Sequence, residues 1–109
     1  MSGSDLFTGT LDMVVLQSLA EGPRHGYAIG KWIRDNSGGV LSVGEGALYP
    51  ALHRLQTKDL LVPEWRKTES GRRAKFYSLT LDGRKQLAGE AKRWSDYAGA
   101  VSAIMGDAG

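Results

Sequence analysis

Two runs with the composition of β-strands, Leu61 to Lys67 and Lys75 to Leu79, flank the turn-rich and basic stretch Thr68-Glu69-Ser70-Gly71-Arg72-Arg73-Ala74. Apolar runs bounded by clusters of Gly, Ser and Thr are the signature of a hairpin. This long hairpin is the strongest constraint on the fold, because nearly everywhere else the apolar residues recur at helical spacing. At 109 residues the chain is one small domain with room for a single core, so hairpin and helices must share it.

Ahead of the hairpin the spacing predicts three helices. Leu11, Val14, Val15 and Leu19 mark the first, over Leu6 to Ala20, with Met13 and Leu16 widening its apolar face and Glu21-Gly22-Pro23 stopping it. The opening Met1-Ser2-Gly3-Ser4 is small and polar and reads as an appended tail rather than native structure. The second helix starts near His25-Gly26 and runs to Asn36, with Ile29, Trp32 and Ile33 inward and Lys31, Arg34 and Asp35 outward; Ser37-Gly38-Gly39 ends it. Val40-Leu41-Ser42-Val43 is a turn or a small edge strand. The third helix covers Gly44 to Gln56 and gathers Leu48, Ala51, Leu52 and Leu55 on one face, with Pro50 expected in or near its first turn, where a missing N–H does little damage. After the hairpin, Thr80 is a good N-cap for a last helix that continues to about Met105, before the small-residue tail Gly106-Asp107-Ala108-Gly109.

Three helices, a hairpin and a final helix give a mainly α chain with a small β-hairpin. That is the order of a winged helix-turn-helix, here residues 1–79 with the hairpin as the wing, followed by a C-terminal dimerisation helix at 80–109.

Composition removes competing classes. A hydrophobic fraction of 41% and a charged fraction of 24% are those of a soluble globular protein, not of a disordered or fibrous one. The longest apolar runs fall far short of the roughly twenty residues that cross a bilayer, and no signal-peptide pattern opens the chain, so a cytoplasmic protein without a membrane partner is expected. With no cysteine there is neither a disulfide scaffold nor a thiolate site, and His25 and His53 alone do not build a metal centre. An enzyme is not expected either. The histidines have no matched nucleophile, no carboxylate pair is framed for acid–base work, and Gly44-x-Gly46 is followed by Tyr49 where a dinucleotide loop needs glycine. No cofactor is implied.

Net charge is only +2, so an argument for nucleic acid rests on where the cations lie. They cluster: residues 66 to 75 hold Arg66, Lys67, Arg72, Arg73 and Lys75 against the single acid Glu69. In a helix-turn-helix the second helix of the motif enters the major groove with its N-terminal residues at the bases. On the third helix, a turn of about 100° per residue sends Gly46, Tyr49, Pro50, His53 and Arg54 away from the leucines. Tyr49 can donate to a phosphate or pack on a thymine methyl, His53 can reach a base edge or phosphate, and Arg54 can reach a phosphate. Small Gly46 and Ala47 let the helix N-terminus, with its free N–H groups, approach the DNA backbone. Taken singly, each is also what an ordinary solvated helix surface looks like. Gly71-Arg72-Arg73 puts two guanidiniums at a narrow tip, where they can enter a groove or follow phosphates.

In the last helix Leu87, Ala91, Trp94, Ala98, Val101 and Met105 form an a/d seam. The other elements account for one another, so the seam points to a homodimer, with the first helix contributing because so Ala-rich a seam favours close approach. Trp94 is a large flat ring among alanines, which leaves either a filled interface or a gap where two symmetry-related indoles sandwich a planar aromatic or cationic ligand.

With these residues in hand, the chain resembles the PadR family of transcriptional regulators from about Leu6 to Met105. Thr8-Gly9-Thr10-Leu11-Asp12, Gly46-Ala47-Leu48-Tyr49-Pro50-Ala51-Leu52-His53-Arg54-Leu55 and Gly71-Arg72-Arg73-Ala74-Lys75-Phe76-Tyr77-Ser78-Leu79-Thr80 carry the resemblance, with His25-Gly26-Tyr27 a weaker fourth stretch. The resemblance implies a dimeric repressor on double-stranded DNA, acting on its own gene and neighbours and released by a small effector. It implies DNA contacts for Tyr49, His53, Arg54, Arg72, Arg73 and Lys75, and a phosphate contact for Tyr27. A single C-terminal helix resembles the short-form members, which lack a separate ligand domain; a small planar aromatic effector would then sit at the dimer interface near Trp94 and the first helix. The rival reading is a winged helix turned protein-interaction module that no longer reads DNA, and a steep salt dependence of DNA binding separates the two.

Overall fold

The computed structural model describes residues 3–106, with side chains from Gly9 onward. Met1, Ser2 and the tail residues Asp107, Ala108 and Gly109 lie outside the described residues. The elements run α1 (Gly3–Ser18), β1 (Arg24–His25), α2 (Gly26–Asn36), α3 (Glu45–Thr57), β2 (Leu61–Lys67), β3 (Arg73–Leu79) and α4 (Leu81–Met105). The fold is mainly α with a β-hairpin wing, as the sequence order implies.

Val15, Leu16 and Leu19 of the first helical segment, Ile29 and Ile33 of α2, and Leu48, Ala51, Leu52 and Leu55 of α3 form one buried cluster. Leu60, Leu61 and Tyr77 close it from the hairpin side. Truncating a fully buried member such as Leu52 to Ala would cost about 2–5 kcal/mol, a large part of what holds so small a domain together.

Helix ends follow local chemistry. α1 starts earlier than the spacing predicts and takes in Gly3 and Ser4, which therefore belong to the helix. It stops at Ser18, where tighter turns from Leu19 to Leu16 and from Ala20 to Gln17 take over. Arg24 Nε donates to the Ser18 carbonyl at 2.7 Å, satisfying one of the orphan acceptors of the α1 C-terminus. α3 ends in a Schellman motif: Leu60 N–H reaches the Leu55 carbonyl and Asp59 N–H the Gln56 carbonyl, both at 2.9 Å, with Asp59 in the left-handed region at φ 60°. Thr80 caps α4 as expected, its Oγ1 accepting from Gly83 N–H at 2.9 Å and donating to the Asp59 carbonyl at 2.7 Å.

Three further features differ from the sequence reading. The hairpin has a third strand: β1 pairs antiparallel with β3, Arg24 opposite Tyr77 and His25 opposite Phe76, giving the order β1-β3-β2. Val40–Val43 forms no strand; Leu41 and Val43 instead pack on the core. Pro50 is the sixth residue of α3, a turn deeper than expected. Lacking an N–H, it cannot donate to the Gly46 carbonyl, and the helix continues because its other bonds hold.

α4 rises beyond the core. Its 25 residues span about 37 Å at 1.5 Å per residue. The radius of gyration is 15.0 Å, against about 13 Å for a compact chain of this length. Leu87 packs partly buried against the core of its own chain, whereas Trp94, Tyr97, Val101, Ile104 and Met105 remain exposed.

Candidate nucleic-acid interface

α3 presents three surfaces. With about 100° between successive residues, Leu48, Ala51, Leu52 and Leu55 share the buried arc and Gly46, Pro50 and His53 stand opposite it, all three exposed. Tyr49 and Arg54 fall between, on the two shoulders. The sequence reading put both on the outward face; the structure gives each an internal neighbour.

Tyr49 leans onto the start of α2. A Cβ on Gly26 would stand 2.8 Å from the Tyr49 hydroxyl and 3.1 Å from its ring, so glycine there is what lets the ring lie down. Arg54 leans the other way and donates from Nη2 to Asp12 Oδ1 on α1 at 2.8 Å. The arginine expected to reach a phosphate is thus also tied to the neighbouring helix.

The N-terminus of α3 has Gly44 as N-cap and no side-chain cap. Gly46 and Ala47 are exposed there, as the anion-binding expectation requires, but Glu45 sits in the same first turn and its negative charge works against a phosphate.

The wing separates its charges by face. Residues paired across the ladder share a face, so Trp65, Lys67, Arg73, Lys75 and Tyr77 lie on one side of β2–β3, and Glu64, Arg66, Ala74 and Phe76 on the other. On the second side Arg66 is spent on an ion pair with Glu64 and stacks over Phe76. On the first side there is no acid, and three cations run toward the tip. That side borders an open groove whose far wall is Tyr27 and Tyr49.

The tip differs in detail from expectation. β3 begins at Arg73, so the loop is Thr68 to Arg72, closed by Thr68 N–H to the Arg72 carbonyl at 2.7 Å, with Gly71 at φ 86°. Only Arg72 therefore projects from the turn. Arg73 is a strand residue whose guanidinium carbon lies 5.3 Å from the Trp65 ring centroid. Lys75 Nζ is 5.7 Å from the ring of Tyr77, which is buried and whose hydroxyl is pushed to a higher pKa by that burial.

Trp65 was not among the expected site residues. It is 59% exposed on the basic face, and the alternation of β2 against β3 is the signal that could have found it. His25, expected only to begin the second helix, has a structural role: its Nδ1 accepts from Ala28 N–H at 3.2 Å and its ring meets Phe76 edge-on. Tyr27, 73% exposed, extends from α2 toward the same groove. Beside it Lys31 is engaged with Asp35 at 2.6 Å, which holds that carboxyl below the usual range.

A helical core carrying a basic wing beside an exposed helix face defines the winged-helix class of transcriptional regulators. Residues 15–89 match the Transcriptional regulator PadR-like family. A PadR family transcriptional regulator from Eggerthella lenta is 32% identical with a TM-score of 0.76, over 93% of this chain and 86% of that one. A PadR-like transcription factor from Bacteroides fragilis is 31% identical with a TM-score of 0.74, over 93% and 95%. An uncharacterized 37.1 kDa protein in transposon TN4556 of Streptomyces fradiae is 44% identical over 94 residues; the match takes in 86% of this chain but only 26% of that protein. The chain belongs to the PadR-like family of transcriptional regulators, and such a protein is not an enzyme. Among the described residues no helix is long and apolar enough to cross a membrane.

Proposed function

We propose that the chain is a cytoplasmic, homodimeric repressor that binds operator DNA through α3 and the wing and is released by a small planar aromatic effector. Residues 1–79 read DNA and residues 80–109 pair the subunits. The observation that carries the DNA reading is the wing face with Lys67, Arg73 and Lys75 and no acid, beside the exposed Gly46, Pro50 and His53 of α3. With α3 in the major groove, Gly46, Ala47, Pro50 and His53 meet base edges, Tyr27 and Tyr49 flank the phosphate strand, and Arg72, Arg73 and Lys75 follow the adjoining backbone. Arg54 acts at one remove, holding α3 against α1.

Pairing through α4 is supported by the exposure of Trp94, Val101 and Met105, with Ala91 and Ala98 permitting close approach. Leu87, the first residue of the seam, is partly buried against its own core and has less surface left to give to this interface. Tyr97 and Ile104, both exposed on the same helix, extend the apolar surface. An effector would enter the cleft between α1 and α4, where Trp94 and Tyr97 stand with ring centroids 6.1 Å apart.

The test is fluorescence anisotropy with a duplex from upstream of the protein's own gene and a scrambled duplex of equal composition. Preference for the upstream duplex by about a thousandfold is expected, and alanine at both Arg72 and Arg73 should weaken binding to both duplexes. Binding to neither duplex at low salt would overturn the reading. Replacing Val101 and Met105 by Asp should halve the mass in solution, since charge does not survive unpaired in an apolar seam.

A further inference from the structure

The groove between the wing and the start of α2 offers more ring surface than phosphates require. It has a volume of about 850 Å³, within the roughly 300–1,000 Å³ of small-molecule sites. Trp65 and the cations Arg72, Arg73 and Lys75 line its wing side, and Tyr27 and Tyr49 the side of α2 and α3. None of its lining residues is acidic, and none of the ion pairs among the described residues engages these three cations. It shares no lining residue with the cleft between α1 and α4.

Phosphates account for the cations but not for the rings. In a duplex the faces of the bases are stacked on one another, and what reaches a protein is base edges and the sugar–phosphate backbone. Tyr27 and Tyr49 can donate their hydroxyls to phosphates, but an indole face offers a phosphate nothing. The Arg73 guanidinium stacks over Trp65 at 5.3 Å and still leaves that residue 59% exposed. What an exposed indole face takes is another flat ring. Cations and a stacking platform in one acid-free groove are the two things a nucleotide needs. Arg72, Arg73 and Lys75 fall within four residues of chain, a compact cluster that suits consecutive phosphates on one nucleoside rather than phosphates spaced along a strand.

We propose that this groove also binds a free nucleoside triphosphate, its base stacked on Trp65 and its phosphates on Arg72, Arg73 and Lys75, in competition with operator DNA. The competition rests on the reading of the wing as the DNA interface; the nucleotide site does not.

Calorimetry on the full-length protein without DNA tests the site with ATP, inorganic tripolyphosphate and adenosine. ATP should bind at least tenfold more tightly than either fragment, because only ATP meets both the indole and the cations. Trp65→Ala should bring ATP down toward the affinity of tripolyphosphate while changing tripolyphosphate far less, and Trp65→Phe should restore part of the difference. Lys75→Ala should weaken ATP and tripolyphosphate alike. Circular dichroism reports whether each variant keeps its fold. ATP that binds no more tightly than tripolyphosphate, or that Trp65→Ala leaves untouched, overturns the site. So does a short oligothymidylate that binds where ATP does not, which makes the occupant a strand. Competition is read by anisotropy with the upstream duplex at constant ionic strength, and its apparent affinity should fall once ATP exceeds its own Kd. A duplex that binds regardless of ATP overturns the competition alone. A duplex that fails to bind while ATP binds as expected sinks the DNA reading and leaves the nucleotide site standing.

Discussion

Arg54 on α3 and Asp12 on α1 meet at 2.8 Å, and this contact ties the helix that faces outward to the helix that lines the α1–α4 cleft. Asp12 is the more buried partner, its side chain 17% exposed against 41% for Arg54. Met13, next along α1, borders the cleft. The pair holds α3 at a fixed angle to the rest of the domain.

Breaking it should therefore cost stability first. Arg54→Ala is expected to lower stability by about 0.5–1 kcal/mol, the upper range for a partly solvated pair, and Tm by a few degrees. A double-mutant cycle with Asp12→Ala, followed by thermal denaturation, checks it: the double variant should be no less stable than Arg54→Ala alone. Additive losses would mean that the two residues do not act on each other.

Among the described glycines, Gly83 at the joint between wing and α4 has the closest neighbour. A Cβ on Gly83 would stand 2.1 Å from the Leu60 carbonyl oxygen, which is backbone and already accepts from Thr80 N–H at 3.1 Å. Gly83→Ala must push α4 off the wing and should cost about 3 kcal/mol, the upper end for overpacking. Thr80→Ala loses the cap and its tie to Asp59 and should cost about 1–2 kcal/mol. Urea denaturation of the two variants should rank them in that order.

Trp65 and Arg73 should act as a unit on DNA. The indole fixes the guanidinium on the basic face, a stacking worth about 0.5–1 kcal/mol at an exposed site, so Arg73 enters the complex with less freedom to lose. Trp65→Ala is expected to weaken DNA binding several-fold with little change in Tm. In anisotropy titrations the Trp65→Ala, Arg73→Ala double variant should be weaker than Arg73→Ala by less than the Trp65→Ala factor. Full additivity would show that the indole works independently.

Tyr77 makes stability fall at alkaline pH. Burial raises its pKa in the folded state above the unfolded value near 10, so its contribution is complete below about pH 10 and is lost as pH rises through the folded pKa. Tyr77→Phe should flatten the alkaline limb of a plot of stability against pH. An unchanged limb would assign the loss to other groups.

What was legible in the sequence was what local chemistry decides. β2 runs from Leu61 to Lys67 as its composition implies, and Thr80 starts α4 because its hydroxyl satisfies an N–H three residues on. What was not legible depends on partners distant in the chain. Arg24 and His25 become a strand only because β3 offers a free edge some fifty residues later. Val40–Val43 has better strand composition but packs Leu41 and Val43 on the core and joins no strand. Tyr49 and Arg54 occupy shoulders of α3 whose neighbours, Gly26 and Asp12, come from other helices, so a helical wheel alone puts both outside. Leu87 fits a heptad seam equally well as a core residue, and its partial packing on its own core shows only once α4 is placed against the domain. Trp65 was missed for a different reason: its meaning lies in which strand face it shares, and that needs the ladder register.

The central claim is that the basic wing face and α3 bind DNA by neutralising phosphates. The most direct measurement is the affinity for the upstream duplex across a series of salt concentrations. If Arg72, Arg73, Lys75 and Lys67 each neutralise a phosphate on each of two subunits, the log–log slope should be steep, about −0.9 for every phosphate contacted, and should become shallower by roughly two contacts in Arg73→Ala. A slope near zero, or one that Arg73→Ala leaves untouched, would contradict the account.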